Sequence, residues 1–196
     1  MIKAIILDWG GVLIDNPVAG FMTYCSQYLK VPKKTFIETT SKFYEDFAKG
    51  KVTENAFWKN VCSYLNVAVP SVSSLLTEAF RAVYSEKKEV FSIVSSLKDK
   101  GYKIALLSNT EMPMVNFFRE KNYSFFDLTV FSCVEGVIKP DKKIYEITLD
   151  RLKIKPQEAV FIDDKEENIL SGKDVGINAI LFKNPQQFKK ELLSLL

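Results

Sequence analysis

Histidine is absent from this chain of 196 residues. That removes the commonest general base, the serine–histidine triads and imidazole metal ligands together. Any catalysis here must use carboxylates, lysine, hydroxyls or a metal held on oxygen. Cysteine is scarce: Cys25, Cys62 and Cys133 lie far apart with no CxxC spacing. An odd, sparse set argues against a disulfide framework and fits a reducing cytosol. All three read as small buried apolar side chains. No apolar run approaches the roughly 18 residues of a membrane span. The opening segment, MIKAIILDWGG, is too short in its apolar run for a signal peptide, carries an acid, and is followed by no small-residue cleavage site. Long blocks of one charge are also missing. The 27 basic residues are interleaved with 24 acids, for a net charge of +3, and patches such as KKELL and SEKKE read as solvated helix faces. A cytoplasmic protein with no nucleic-acid and no membrane partner is expected, acting as a monomer or homodimer.

What is present is a core. The apolar content of 47% is ordinary for a globular chain, and the length suits one domain with a modest insertion. Five short runs are apolar at consecutive positions: KAIILD (3–8), YKIALLS (102–108), LTVFS (128–132), EAVFID (158–163) and NAILF (178–182). Continuous rather than alternating hydrophobicity marks strands buried on both faces, as in a parallel sheet covered by helices. Helical patterns lie between them at 90–101, 141–154, 167–176 and 185–196. The alternation predicts an α/β, Rossmann-like, doubly wound parallel sheet. Residues 16–83 break the rhythm. They carry helical spacing at 21–29, 34–48, 54–65 and 71–83, with turn signals at Pro32, Gly50 and Pro70. This reads as a helical insertion after the first strand, its many aromatics forming mostly its own core. The expected partition is a core of 1–15 and 84–196 with a helical unit of 16–83.

Parallel strands deliver functional groups at their carboxyl ends. The first ends on Asp8, the second on Ser108-Asn109-Thr110, and the fourth on Asp163-Asp164, while Lys139-Pro140 precedes a helix. Each alone is ordinary, an aspartate being often only a helix cap. Together they form a set suited to phosphoryl transfer. A carboxylate that attacks a phosphate dianion must overcome like-charge repulsion, and Mg²⁺ on oxygen ligands relieves it. Asp8 and Asp164 could hold the ion while Asp8 attacks, with Lys139 and the Ser108 hydroxyl neutralising the equatorial oxygens.

These residues resemble the haloacid dehalogenase (HAD) superfamily of hydrolases. Asp8-Trp9-Gly10-Gly11-Val12 is similar to its DxDGT/V motif, Ser108-Asn109 to the strand-end hydroxyl, Lys139-Pro140 to the lysine motif, and Asp163-Asp164 to the acidic GD or DD strand end. The helical insertion resembles the family's C1 cap, a lid over the site. VxKPDxxIYxxxL and FIDDxxxN are similar to the phosphatase-like branch that includes the phosphatase domain of soluble epoxide hydrolase. The resemblance implies a magnesium-dependent hydrolase of small phosphorylated metabolites working through an aspartyl-phosphate. Asp8 would be nucleophile and metal ligand, Asp164 a direct ligand, and Asp163 would act through water or hydrogen bonding. Gly10 would offer its carbonyl to the metal, and Asn168 would brace the loop. Ser108, Asn109, Lys139 and Trp9 would meet the substrate.

One departure stands out. Family phosphatases carry a second Asp two residues after the nucleophile, to protonate the leaving oxygen, where this chain has Gly10. General acid–base help is worth ~10²–10⁴ in rate. Glu111 and, more weakly, Asp15 are the substitutes within the sequence. The alternatives are a non-catalytic or regulatory relative that binds a phosphorylated ligand or a protein, and a 2-haloacid dehalogenase.

Overall fold

The computed structural model describes residues 1–196. Five parallel strands, β1 (Ala4–Leu7), β2 (Lys103–Ser108), β3 (Leu128–Phe131), β4 (Ala159–Asp163) and β5 (Asn178–Leu181), form one sheet in the order β3-β2-β1-β4-β5. β1 is central. Leu7 pairs with Leu106 on one side and Ile162 on the other, so Asp8 leaves the sheet level with the ends of β2 and β4. All five expected strands are present, each shorter than its apolar run by one residue, except β1, which loses both Lys3 and Asp8.

The continuous apolar runs are split by the strand pleat into two buried sets. Ile5, Leu7, Ile104, Leu106, Val160 and Ile162 face one side, and Ala4, Ile6, Ala105, Leu107, Ala159 and Phe161 face the other. The first set packs with α6 (Lys88–Asp99) and α11 (Pro185–Leu195), through Val90, Val94, Phe188 and Leu192. The second packs with α9 (Lys142–Leu152) and α10 (Glu166–Asp174), through Ile144, Tyr145, Leu149 and Ile169.

Residues 16–83 contain no strand. They form α1 (Val18–Tyr28), α2 (Lys33–Ser41), α3 (Tyr44–Ala48), α4 (Glu54–Leu65) and α5 (Leu75–Val83). The helix expected over 34–48 is two helices. At its break Thr39, Thr40 and Ser41 all turn their hydroxyls back on carbonyls of their own helix, a local competition that weakens and bends helices. The helix expected from 71 starts at Leu75 because the Ser74 hydroxyl accepts the Thr77 N–H at 3.0 Å and caps it there. Two helices escaped the periodicity reading, α7 (Met112–Glu120) and the short α8 (Ser132–Glu135).

The helical segment is not a separate globule. Phe36, Phe47, Phe57 and Trp58 bury one another as expected, yet they belong to the same cluster of 35 buried residues as the sheet. Phe80 of α5 packs on Phe117 of α7 with ring centroids 5.1 Å apart. On the far side the Ser132 hydroxyl donates to the Ala48 carbonyl at 2.7 Å and accepts the Thr110 N–H at 2.8 Å. Of the three thiols, Cys25 and Cys62 are buried, whereas Cys133, expected to be so, is only half-buried because α8 lies at the edge of the sheet.

Candidate active site

Four segments converge beyond the carboxyl end of the sheet. Asp8 follows β1, Ser108 ends β2, Lys139 sits in the loop before α9, and Asp163-Asp164 end β4. Asp8, Ser108, Lys139 and Asp163 are all buried. Oxygens of Asp8, Asp163 and Asp164 lie within 4.8 Å of one another.

Lys139 is the electrostatic centre. Its side chain is 1% exposed and its ammonium lies 2.9 Å from Asp8 Oδ1 and 2.6 Å from Asp163 Oδ2. It also donates to the Leu107 carbonyl at 2.9 Å. An ammonium has three protons, and these three partners account for them. Lys139 therefore acts here by orienting Asp8 and by its charge. A direct hydrogen bond to a ligand would have to displace one of the three. Burial pushes the Asp8 carboxyl up to about 6, Lys139 pulling the other way and Asp163 adding to the rise.

The adjacent acids of β4 differ in what surrounds them. Asp163 is saturated: besides Lys139 it accepts from the Asn168 amide at 3.0 Å through both oxygens, and from the Lys165 N–H at 2.9 Å. Asp164 is held by one bond from the Asn16 amide to Oδ2 at 3.2 Å, and its Oδ1 is buried with no partner. Burial, then the neighbouring Asp163, raise the Asp164 carboxyl above the ordinary range. Gly11 makes this packing possible. Its φ is +86°, and a Cβ there would stand 2.0 Å from Asp164 Oδ2.

Asn109 supports the site from behind. Its amide donates to the Lys139 carbonyl at 2.9 Å and its oxygen accepts the Lys139 N–H at 2.8 Å, so both ends of the carboxamide hold the lysine loop. The Ser108 hydroxyl pairs with that of Thr110 at 2.8 Å. Trp9 borders the cavity yet is 2% exposed, wedged against Phe80 and Phe118 at 5.2 Å. Gly10 lines the same space.

A cavity of about 410 Å³ opens between the strand ends and the helical segment. Its apolar wall includes Val18, Phe21, Met22, Phe80 and Met114, and its only cationic lining residues are Lys139 and Lys165. Sequence reasoning left two contributors without a role, Asn16 on Asp164 and Tyr44 of α3 on the cavity wall. Tyr44 has no local signature, being brought in by the packing of the helical segment, and Asn16 reads locally only as a turn residue whose oxygen accepts the Val18 N–H at 3.1 Å. Asp15 is not a lining residue. It is bound to Lys87 at 2.7 Å and faces solvent.

A family model for haloacid dehalogenase-like hydrolases matches residues 2–176. The chain belongs to this family. Among curated relatives, mouse acyl-CoA dehydrogenase family member 10 is 32% identical over 99% of this chain, which spans only 19% of that protein. The sesquiterpene phosphatase astK of Aspergillus oryzae is 27% identical over 89% of this chain and 87% of its own length. In three dimensions the chain is similar to a HAD family enzyme from Bacteroides thetaiotaomicron, with a TM-score of 0.76, 22% identity and coverage of 93% and 94% of the two chains. That enzyme has also been solved in complex with magnesium and inorganic phosphate. The likeness fixes the fold as the HAD α/β architecture. No helix in the chain is long and apolar enough to cross a membrane.

Proposed function

We propose that this HAD-family chain is a magnesium-dependent phosphatase of small phosphorylated metabolites, with Asp8 as nucleophile. The observation that carries the reading is Asp164 Oδ1, a buried carboxylate oxygen without a partner, grouped with oxygens of Asp8 and Asp163 around a single lysine. An unpaired buried carboxylate is costly unless a cation completes it. The donors are hard oxygens, which suit Mg²⁺. Asp8 and Asp164, with the Gly10 carbonyl, would hold it, and Asp163 would support the site through its hydrogen bonds. When bound, the ion offsets the repulsion between Asp8 and an incoming phosphate dianion. The magnesium and phosphate held by the Bacteroides enzyme, and the phosphatase activity named for the Aspergillus relative, support this reading.

The chain's own groups then divide the work. Lys139 holds Asp8 Oδ1 and aims the carboxylate into the cavity. Asp8 attacks phosphorus, forming an aspartyl-phosphate that water later clears. The Ser108 hydroxyl can turn from Thr110 to a phosphoryl oxygen. The apolar wall and the shortage of lining cations favour esters whose organic part is uncharged and largely apolar. Residues 16–83 serve as a cap that excludes water over a core of 1–15 and 84–196.

The test is release of inorganic phosphate from a panel of phosphomonoesters with Mg²⁺. Turnover abolished by Asp8→Asn and by chelator is expected. Phosphate release that survives both, or halide release from 2-haloacids without metal, overturns the reading.

A further inference from the structure

We infer that Glu111 supplies the acid–base function absent at Gly10, with Tyr44 of the helical segment as its partner. The inference rests on the phosphatase reading above. The carboxylates that line the cavity are Asp8, Asp164 and Glu111. Asp8 is engaged by Lys139, and Asp164 belongs to the cluster of acids. Asp15 is tied to Lys87 outside the lining.

Glu111 is differently placed. It is the N-cap of α7, three residues beyond Ser108, but its side chain makes no capping bond. Its backbone carbonyl anchors the helix instead, accepting the Met114 and Val115 N–H groups at 3.0 and 3.1 Å. The carboxyl therefore caps no helix, and no cation pairs with it. Tyr44, at the first position of α3 and 40% exposed, lines the same cavity, and its phenol feels the charges of Glu111 and, more weakly, of Asp8. Burial raises the Glu111 carboxyl, while its own backbone N–H and then the Tyr44 hydroxyl oppose the rise. The other titratable group close to it is the half-buried Cys133 thiol, pushed up to about 11 by burial first and by Glu111 second. A half-buried carboxyl that lines the cavity and is raised above its ordinary range can hold a proton for the leaving group.

The step balances. As the bond from an Asp8 oxygen to phosphorus forms, the bond to the ester oxygen breaks. Its electron pair stays on the leaving oxygen, which takes the Glu111 proton, directly or through the Tyr44 hydroxyl. In the second half, water attacks phosphorus and gives its proton to the Glu111 carboxylate. The bond between Asp8 and phosphorus then breaks with its pair returning to Asp8. An alcohol and inorganic phosphate leave, and Glu111 is protonated again.

The experiment compares wild type, Glu111→Gln and Glu111→Gln/Gly10→Asp on hexyl phosphate and p-nitrophenyl phosphate with Mg²⁺. kcat/KM reports the steps through alcohol departure, so leaving-group basicity separates an acid from a structural residue. For Glu111→Gln the expected fall is ~10²–10⁴ on the alkyl ester and less than about tenfold on the nitrophenyl ester. The double variant should regain part of the alkyl activity, which also tests the assignment if the single variant folds poorly. Equal losses on both esters, no loss on either, or no recovery in the double variant overturn the assignment while leaving the phosphatase reading intact, provided that Asp8→Asn is inactive. A wild-type chain that hydrolyses neither ester overturns both.

Discussion

Replacing Lys139 with methionine keeps most of the side-chain volume and removes the charge between Asp8 and Asp163. The structure sets the expected cost. The ammonium is 1% exposed and touches carboxylates that are 11% and 0% exposed. Truncating one partner of a buried pair leaves an uncompensated charge, at about 3–5 kcal/mol. For a chain of this size each kcal/mol lowers the melting temperature by ~2–4 °C, so a fall of ~6–20 °C is expected. Thermal melts followed by circular dichroism, with chelator present to prevent metal from standing in for the lysine, measure it. Asp163→Asn alone should also destabilise, because its partners Lys139, Asn168 and Lys165 lose a charged acceptor. The double variant should cost less than the sum, with a coupling of about 0.5–3 kcal/mol. A Lys139→Met variant that melts within 2 °C of wild type, on the same ~2–4 °C scale, refutes the claim that this lysine neutralises the buried acids.

Three further outcomes are expected. Gly11→Ala places a Cβ 2.0 Å from Asp164 Oδ2 at a φ of +86°, so it should destabilise by at least ~1–2 kcal/mol and weaken Mg²⁺ binding in calorimetry; an unchanged melt and unchanged binding contradict the packing. Gly10→Asp meets only the Pro17 ring at 3.3 Å, so the variant should fold, and its turnover of alkyl phosphates should rise by less than the ~10²–10⁴ that a general acid is worth, because Glu111 already supplies one; a gain of that full size contradicts the Glu111 assignment. The thiols of Cys25 and Cys133 are pushed by burial to about 12 and about 11, and that of Cys62 upward for the same reason. Iodoacetamide at pH 8 should therefore label the native chain far more slowly than the unfolded one, as read by mass spectrometry.

The sheet and the convergence of Asp8, Ser108 and Asp163 at its carboxyl end were legible because both follow from rules local to the chain. A strand buried on two faces must be apolar at every position, and a parallel strand must release its polar residue at its carboxyl end. Asp8, Ser108 and Asp163 follow directly. Lys139 was legible as a member of the site but not in its use, since its three bonds depend on Leu107, Asp8 and Asp163 meeting in space. Asn109 was expected to meet the substrate; it lines the cavity, and the bonding of both ends of its carboxamide to the Lys139 backbone was not legible. The break after Ser41 was hidden because the apolar spacing continues through it while the hydroxyls end the helix. Tyr44 and Asn16 were beyond reach for a different reason. Their meeting with Glu111 and Asp164 depends on how the helical segment seats on the sheet, and no periodicity encodes that.

The Ser132 hydroxyl, bonded at once to Ala48 and to Thr110, ties the α3 wall of the cavity mechanically to the end of β2. A tilt of α3 that widened the entrance would drag on the turn that presents Ser108, two residues away. Under the proposed phosphatase function, reshaping α3 for a bulkier alcohol would thus alter phosphate alignment as well. Phe21 and Met22 of α1 line the cavity without sharing that tether, so enlarging the wall there would not pull on the Ser132 bonds.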